Sequence, residues 1–119
     1  MAITGIDHVQ VAGPAGCEDE ARAFYGGLLG LAEIPKPEAL AGRGGCWFRA
    51  GAQELHVGVE EPFAPARKAH PGLVADDLEA LAEKLGGAGH EVAFDGAIPG
   101  SKRFHVADPF GNRLEIRQG

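Results

Sequence analysis

Cysteine is scarce in this sequence: Cys17 and Cys46 are the only two among 119 residues. Two thiols cannot build the disulfide framework of a small secreted domain, so they are read as reduced thiols of a cytosolic protein. Neither has the C-x-x-C spacing or the neighbouring basic residues that activate a thiol. No apolar run approaches the roughly 18 residues of a membrane span. The start, MAITGIDH, lacks the basic residues and long apolar stretch of a secretion signal, so a cytoplasmic location is expected. Positive charge is also short. Eleven Lys and Arg face seventeen Asp and Glu, a formal net charge of −6, whereas nucleic-acid binding needs clustered basic residues. No segment reads as a linker or low-complexity tail, the nearest being EEPFAPAR at residues 60–67.

What remains is ordinary for a folded chain, with 45 % apolar and 24 % charged residues and a length suited to one domain. Glycine is the exception. Nineteen glycines are more than twice the usual share of about 7 %, and they fall in pairs between apolar stretches, which reads as many tight turns.

The order of segments repeats. IDHVQV (residues 6–11) alternates as a half-buried strand does. A helix is expected over about Cys17 to Leu29, with Ala21, Phe24, Tyr25 and Leu28 on one apolar stripe and Gly30 as its stop. Three strands follow, near Ala32 to Pro35, Cys46 to Arg49 and Gln53 to Val59. In the second half a strand over Ala69 to Val74, weakened by Pro71, suits an edge position. Asp76 and Glu79 suggest a capping box, and Leu78, Leu81, Ala82 and Leu85 form a second helical stripe ended by Gly86, Gly87 and Gly89. Strands near Glu91 to Phe94, Arg103 to Ala107 and Asn112 to Gln118 complete it. The chain is therefore an α+β protein of two β-α-β-β-β units, about residues 3–60 and 68–118, forming a single domain. Aligning GAQELHV with FGNRLEI sets His56 on Glu115, and the unit starts set His8 on His70.

Alternation along strands places His8, His56, His70 and Glu115 on the face opposite the helix-covered side, in the first and last strand of each unit. One histidine on such a face is ordinarily just solvated. Four ligand-type residues at equivalent positions instead suit a divalent metal ion (Zn, Ni, Fe, Co or Mn), bound through imidazole nitrogen and carboxylate oxygen. Arg103 and His105 share a face and are candidates for holding a substrate's carboxylate or phosphate. Trp47 and Arg49 are candidates for stacking on or clamping a ligand. The DPFGN segment reads as a turn that sets the register of Glu115.

The paired units, with IDHVQV at the start, FYGGLLGL at the first helix and DPFGNRLEI at the end, resemble the glyoxalase/bleomycin-resistance/dioxygenase superfamily, also called vicinal oxygen chelate proteins, over essentially the whole chain. The resemblance implies a curled, mostly antiparallel mixed sheet around a cavity, with His8, His56, His70 and Glu115 as metal ligands, and a homodimer. It implies a metal-dependent enzyme acting on a small oxygenated substrate that chelates the metal, by lyase or isomerase-type Lewis-acid chemistry or ring-cleaving dioxygenation. Glu115 is the catalytic candidate for moving a proton. Bacterial glyoxalase I, similar in outline, has a carboxylate where His56 stands, and the long glutathione-binding loops are not evident here, which argues against classical glyoxalase I activity. The competing expectation is a metal-free, bleomycin-resistance-like protein that sequesters a small molecule. It calls for an aromatic-rich cavity, and aromatic residues make up only 7 % of this chain.

Overall fold

The computed structural model describes residues 1–119, which divide into two units, Met1–Ala64 and Pro65–Gly119. The first contains β1 (His8–Gly13), a short α1 (Glu18–Ala21) continuing as a π-helical segment (Arg22–Leu28), β2 (Ala32–Ile34), a 3₁₀ segment (Glu38–Arg43), β3 (Cys46–Ala50) and β4 (Gln53–Val59). The second contains β5 (Gly72–Ala75), α2 (Leu78–Gly87), β6 (Ala93–Phe94), β7 (Arg103–Ala107) and β8 (Arg113–Gln118). No helix is long and apolar enough to cross a membrane.

Each unit carries one open four-stranded mixed sheet, ordered β1-β4-β3-β2 in the first and β5-β8-β7-β6 in the second. In both, the first strand pairs parallel with the last, and the other two pairings are antiparallel. The helix after the first strand makes the crossover that a parallel pair requires. The registers are equivalent: Gln10 lies opposite His56 as Gly72 lies opposite Glu115, so His8 and His70 each stand two residues before the partner of the last-strand candidate. The overlay of His8 on His70 and of His56 on Glu115 is thus a property of strand pairing.

Alternation assigns the core. In the first unit Phe24, Tyr25, Phe48, Leu55 and Val57 are buried, and in the second Leu78, Leu85, Phe104, Val106, Leu114 and Ile116. The glycine-rich turn before β3 is sterically enforced. Gly45 has φ +80°, and a Cβ there would lie 2.0 Å from the Val57 carbonyl oxygen. The DPFGN turn is held by Asp108, whose Oδ1 accepts from the Phe110 and Asn112 amides, each at 2.9 Å. Asn112, 1 % exposed, donates from Nδ2 to Asp108 Oδ2 at 2.9 Å and accepts from the Ala66 amide at 3.0 Å. This buried network fixes the entry into β8 and therefore the direction of Glu115.

Four local expectations need correction. The first helix is α-helical for only four residues before its hydrogen bonds lengthen to a π pattern, with the Leu29 amide bonded to the Phe24 carbonyl at 2.9 Å. β5 begins at Gly72, after Pro71, because proline has no N–H to give a ladder; Pro71 contributes only its carbonyl, which accepts from the Glu115 amide at 3.1 Å. His70 therefore precedes β5. β8 begins at Arg113 because Asn112 is committed to the turn. The cap of α2 is Asp77, whose side chain accepts from the Ala80 amide, so the box predicted from Asp76 is displaced by one residue.

Candidate metal centre

The second unit gathers its ligand-type side chains around one carboxylate. Glu115 on β8 lies directly opposite His105 on β7, and His70 reaches the same place from the segment before β5. Glu115 Oε1 is 3.4 Å from His70 Nε2 and 3.5 Å from His105 Nε2. One potential ligand atom from each of His70, His105 and Glu115 lies within 4.8 Å of the others. Around an ion with bonds of about 2.1 Å, tetrahedral neighbours are about 3.4 Å apart, so two edges of the triangle already have the right length.

Supporting contacts orient the imidazoles. His70 Nδ1 lies 2.9 Å from the Lys68 carbonyl. A carbonyl only accepts, so Nδ1 carries a proton and Nε2 is the ring atom turned toward the Glu115 oxygen. The other edge of His105 faces Asp95, with Nδ1 3.7 Å from Oδ2. Two imidazoles and one carboxylate thus fit a first-row divalent ion in both chemistry and spacing.

Arg103, the candidate for holding a substrate anion, lies in this site. It bridges two carboxylates, donating from Nη1 to Glu115 Oε1 at 2.9 Å and from Nη2 to Asp95 Oδ2 at 3.0 Å. Its Nε is buried with no hydrogen-bond partner. Burial would raise the Glu115 pKa, but the Arg103 charge, the His70 contact and His105 outweigh it and hold the carboxyl below its ordinary value. Asp95 is likewise held low, first by the Ala97 amide, which donates to Oδ1 at 2.9 Å, and also by Arg103.

The equivalent face of the first unit is filled by rings. His56 on β4 lies opposite Trp47 on β3, stacked at a centroid distance of 3.7 Å and 2° between planes. His8 stacks on His56 at 4.2 Å and 16°. His56 is 3 % exposed because flat rings cover it. His56 Nε2 faces Glu54 Oε1 at 2.9 Å, and Arg49 pairs with the other Glu54 oxygen at 3.5 Å. His8 Nδ1 faces Asp7 Oδ2 at 2.9 Å. Trp47 stacks on His56 and Arg49 pairs with Glu54.

The convergence of His105 on Glu115, and the roles of Asp95 and Glu54, escaped the sequence reading. The register of β7 on β8 carries the missing signal, because it makes His105 the equivalent of Trp47. Both cysteines are free and buried, and burial pushes the Cys46 thiol up to about 11.

The family model described as the Glyoxalase/Bleomycin resistance protein/Dioxygenase superfamily matches residues 5–116. The chain belongs to this superfamily. Among solved structures similar to this superfamily member, a putative glyoxalase family protein from Bacillus anthracis is 54 % identical, with a TM-score of 0.95, covering 100 % of this chain and 98 % of its own. Lactoylglutathione lyase from Agrobacterium tumefaciens is 21 % identical, with a TM-score of 0.76 and coverage of 100 % and 96 %. A genomically encoded fosfomycin resistance protein from Listeria monocytogenes is 13 % identical, with a TM-score of 0.78 and coverage of 99 % and 95 %. The last two are alike in fold alone. A search of the curated proteins finds no match. Superfamily membership agrees with the α+β class and the duplicated mixed sheets, and the superfamily spans glyoxalases, dioxygenases and resistance proteins, so one scaffold hosts several chemistries.

Proposed function

We propose that this superfamily member is a metal-dependent enzyme acting on a small oxygenated substrate that chelates a divalent ion through neighbouring oxygens. The observation that carries the reading is the meeting of His70, His105 and Glu115, with His70 aimed through its Nδ1 contact to Lys68. A divalent ion bound there supplies Lewis-acid stabilisation of a developing oxyanion, for lyase or isomerase-type chemistry or, with Fe²⁺, ring-cleaving dioxygenation. His70 and His105 hold their Nε2 edges toward the centre, and the Nδ1 contact to Lys68 keeps the His70 ring from turning away. Glu115 supplies one oxygen as a ligand and has Oε2 as the acceptor for a substrate proton. Its charge is maintained by Arg103 despite its burial.

His8 and His56 remain proposed donors because they occupy the equivalent positions of the first unit. Their contribution is read separately. A homodimer and a cytoplasmic location are also part of the proposal, and sedimentation at about twice the 12.4 kDa chain mass tests the former. Calorimetric titration of metal-stripped protein with Zn²⁺, Ni²⁺, Mn²⁺ and anaerobic Fe²⁺ tests the central point. Saturable binding with about one ion per chain, weakened strongly in His70→Ala and Glu115→Ala, is the expected result. Absence of binding in the wild type, or binding unaltered in both variants, would falsify the assignment. Parallel titrations of His8→Ala and His56→Ala show whether those imidazoles also hold the ion.

A further inference from the structure

Arg103 occupies the oxygen that a metal ion needs. Its Nη1 donates to Glu115 Oε1, the same atom that His70 Nε2 and His105 Nε2 approach. A guanidinium and a divalent cation cannot both sit within bonding distance of one carboxylate oxygen in the same direction without strong repulsion. The two ends of the guanidinium are anchored separately. Nη2 is tied to Asp95, which is itself fixed by the Ala97 amide, while Nη1 is tied to Glu115. Breaking the second contact leaves the first in place. A guanidinium has five N–H donors, and here Nε has no partner while each Nη makes one carboxylate contact, so donor capacity is unused in a side chain only 15 % exposed.

Resting on the metal-enzyme reading above, we propose that Arg103 is an internal placeholder cation. Its Nη1 neutralises Glu115 when no ion is bound and yields that oxygen when a divalent ion arrives. The guanidinium, still held by Asp95, then offers its released donors to an anionic oxygen of the substrate beside the ion. The substrate class that follows is a small oxyanion with a neighbouring chelating oxygen, such as a 2-hydroxycarboxylate. Arg103 thereby couples ion loading to recognition of this anion. In the ion-free site Nη1 is engaged by Glu115, so the anion lacks both that donor and the charge of the ion.

The experiment titrates Zn²⁺ into metal-stripped wild type, Arg103→Gln and Arg103→Lys, and then titrates glycolate, a minimal 2-hydroxycarboxylate, into each zinc-loaded and zinc-free protein. Removing the competing cation is expected to tighten Zn²⁺ binding about tenfold in Arg103→Gln, since hydrogen bonds to charged groups are worth about 1.5–3 kcal/mol. Arg103→Lys, which keeps a charge but cannot bridge both carboxylates as a planar fork, should fall between them. Glycolate should bind zinc-loaded wild type at least about tenfold tighter than zinc-loaded Arg103→Gln, by the same charged hydrogen bonds, and bind zinc-free wild type weakly. Equal or weaker Zn²⁺ affinity in Arg103→Gln overturns the placeholder role, and equal glycolate affinity in the two loaded proteins overturns the recognition role. If Arg103→Gln fails to fold by circular dichroism, Arg103→Lys carries both comparisons. Failure of the underlying metal reading looks different: neither wild type nor any Arg103 variant then binds zinc.

Discussion

The two units share an element order and a strand register but present different chemistry on equivalent positions. In the first, Trp47 and His56 face each other across β3 and β4 and close into a ring stack with His8. In the second, His105 and Glu115 hold those two positions and gather His70 and Arg103. Exchanging Trp for His and His for Glu at fixed backbone positions turns a stack of rings into a cluster of ionisable side chains. Pairing register defines where side chains meet, and residue type at those points decides whether they stack or pair through charge. The helix starts differ in the same manner. Asp77 caps α2 locally, whereas Cys17 makes no side-chain cap for α1 and Glu18 instead reaches to the Gly45 amide at 2.6 Å.

Substitutions can break this comparison. The largest effect is expected at the exchanged ligand position: Glu115→Gln should lower Zn²⁺ affinity about 100-fold or more, the upper end of losses seen even for supporting residues, as measured by calorimetry. A smaller loss in His56→Ala would set the two equivalent positions apart in function. Next come the buried leucines at equivalent points of β4 and β8, Leu55 and Leu114, both 0 % exposed. Leu55→Ala and Leu114→Ala should each cost about 2–5 kcal/mol in urea denaturation. A large cost at one and none at the other would show that the repeat does not extend to packing.

The helix starts give smaller effects. Asp77→Ala should cost about 1 kcal/mol through loss of the cap, read by the same denaturation experiment. Glu18 tests the corresponding feature of the first unit through pH. The Gly45 amide is the main cause of its lowered pKa, below an ordinary value of 4.5. A carboxyl whose folded pKa is depressed contributes stability that is fully present above the unfolded value and disappears as pH falls through the folded one. Wild type should therefore lose stability relative to Glu18→Gln as pH is lowered from about 5 into the acid range, since the variant lacks this titration. Parallel pH profiles for the two proteins would show that the Gly45 contact contributes nothing.

Much of this architecture is legible from local patterning. The strands Gln53–Val59 and Arg103–Ala107 have the bounds that alternation predicts, because Leu55 and Val57, or Phe104 and Val106, must enter a core while their neighbours cannot. The π-helical turn was not legible, since the spacing of Ala21, Phe24 and Tyr25 suits the start of either helix type. The Arg103 bridge was equally hidden, because a charge on a strand face has no visible partner until the strands are paired.

The sequence by itself determined the duplication, the α+β order and the candidate side of each strand, since these follow from short-range alternation and turn chemistry. Which candidates meet was decided only by tertiary structure. His70 and Glu115 are separated by most of the second unit, and they converge because Pro71 delays β5, the Asp108–Asn112 network aims β8, and β7 pairs in one register. Such contacts depend on hydrogen bonds between distant residues, which fix distances that no local pattern contains.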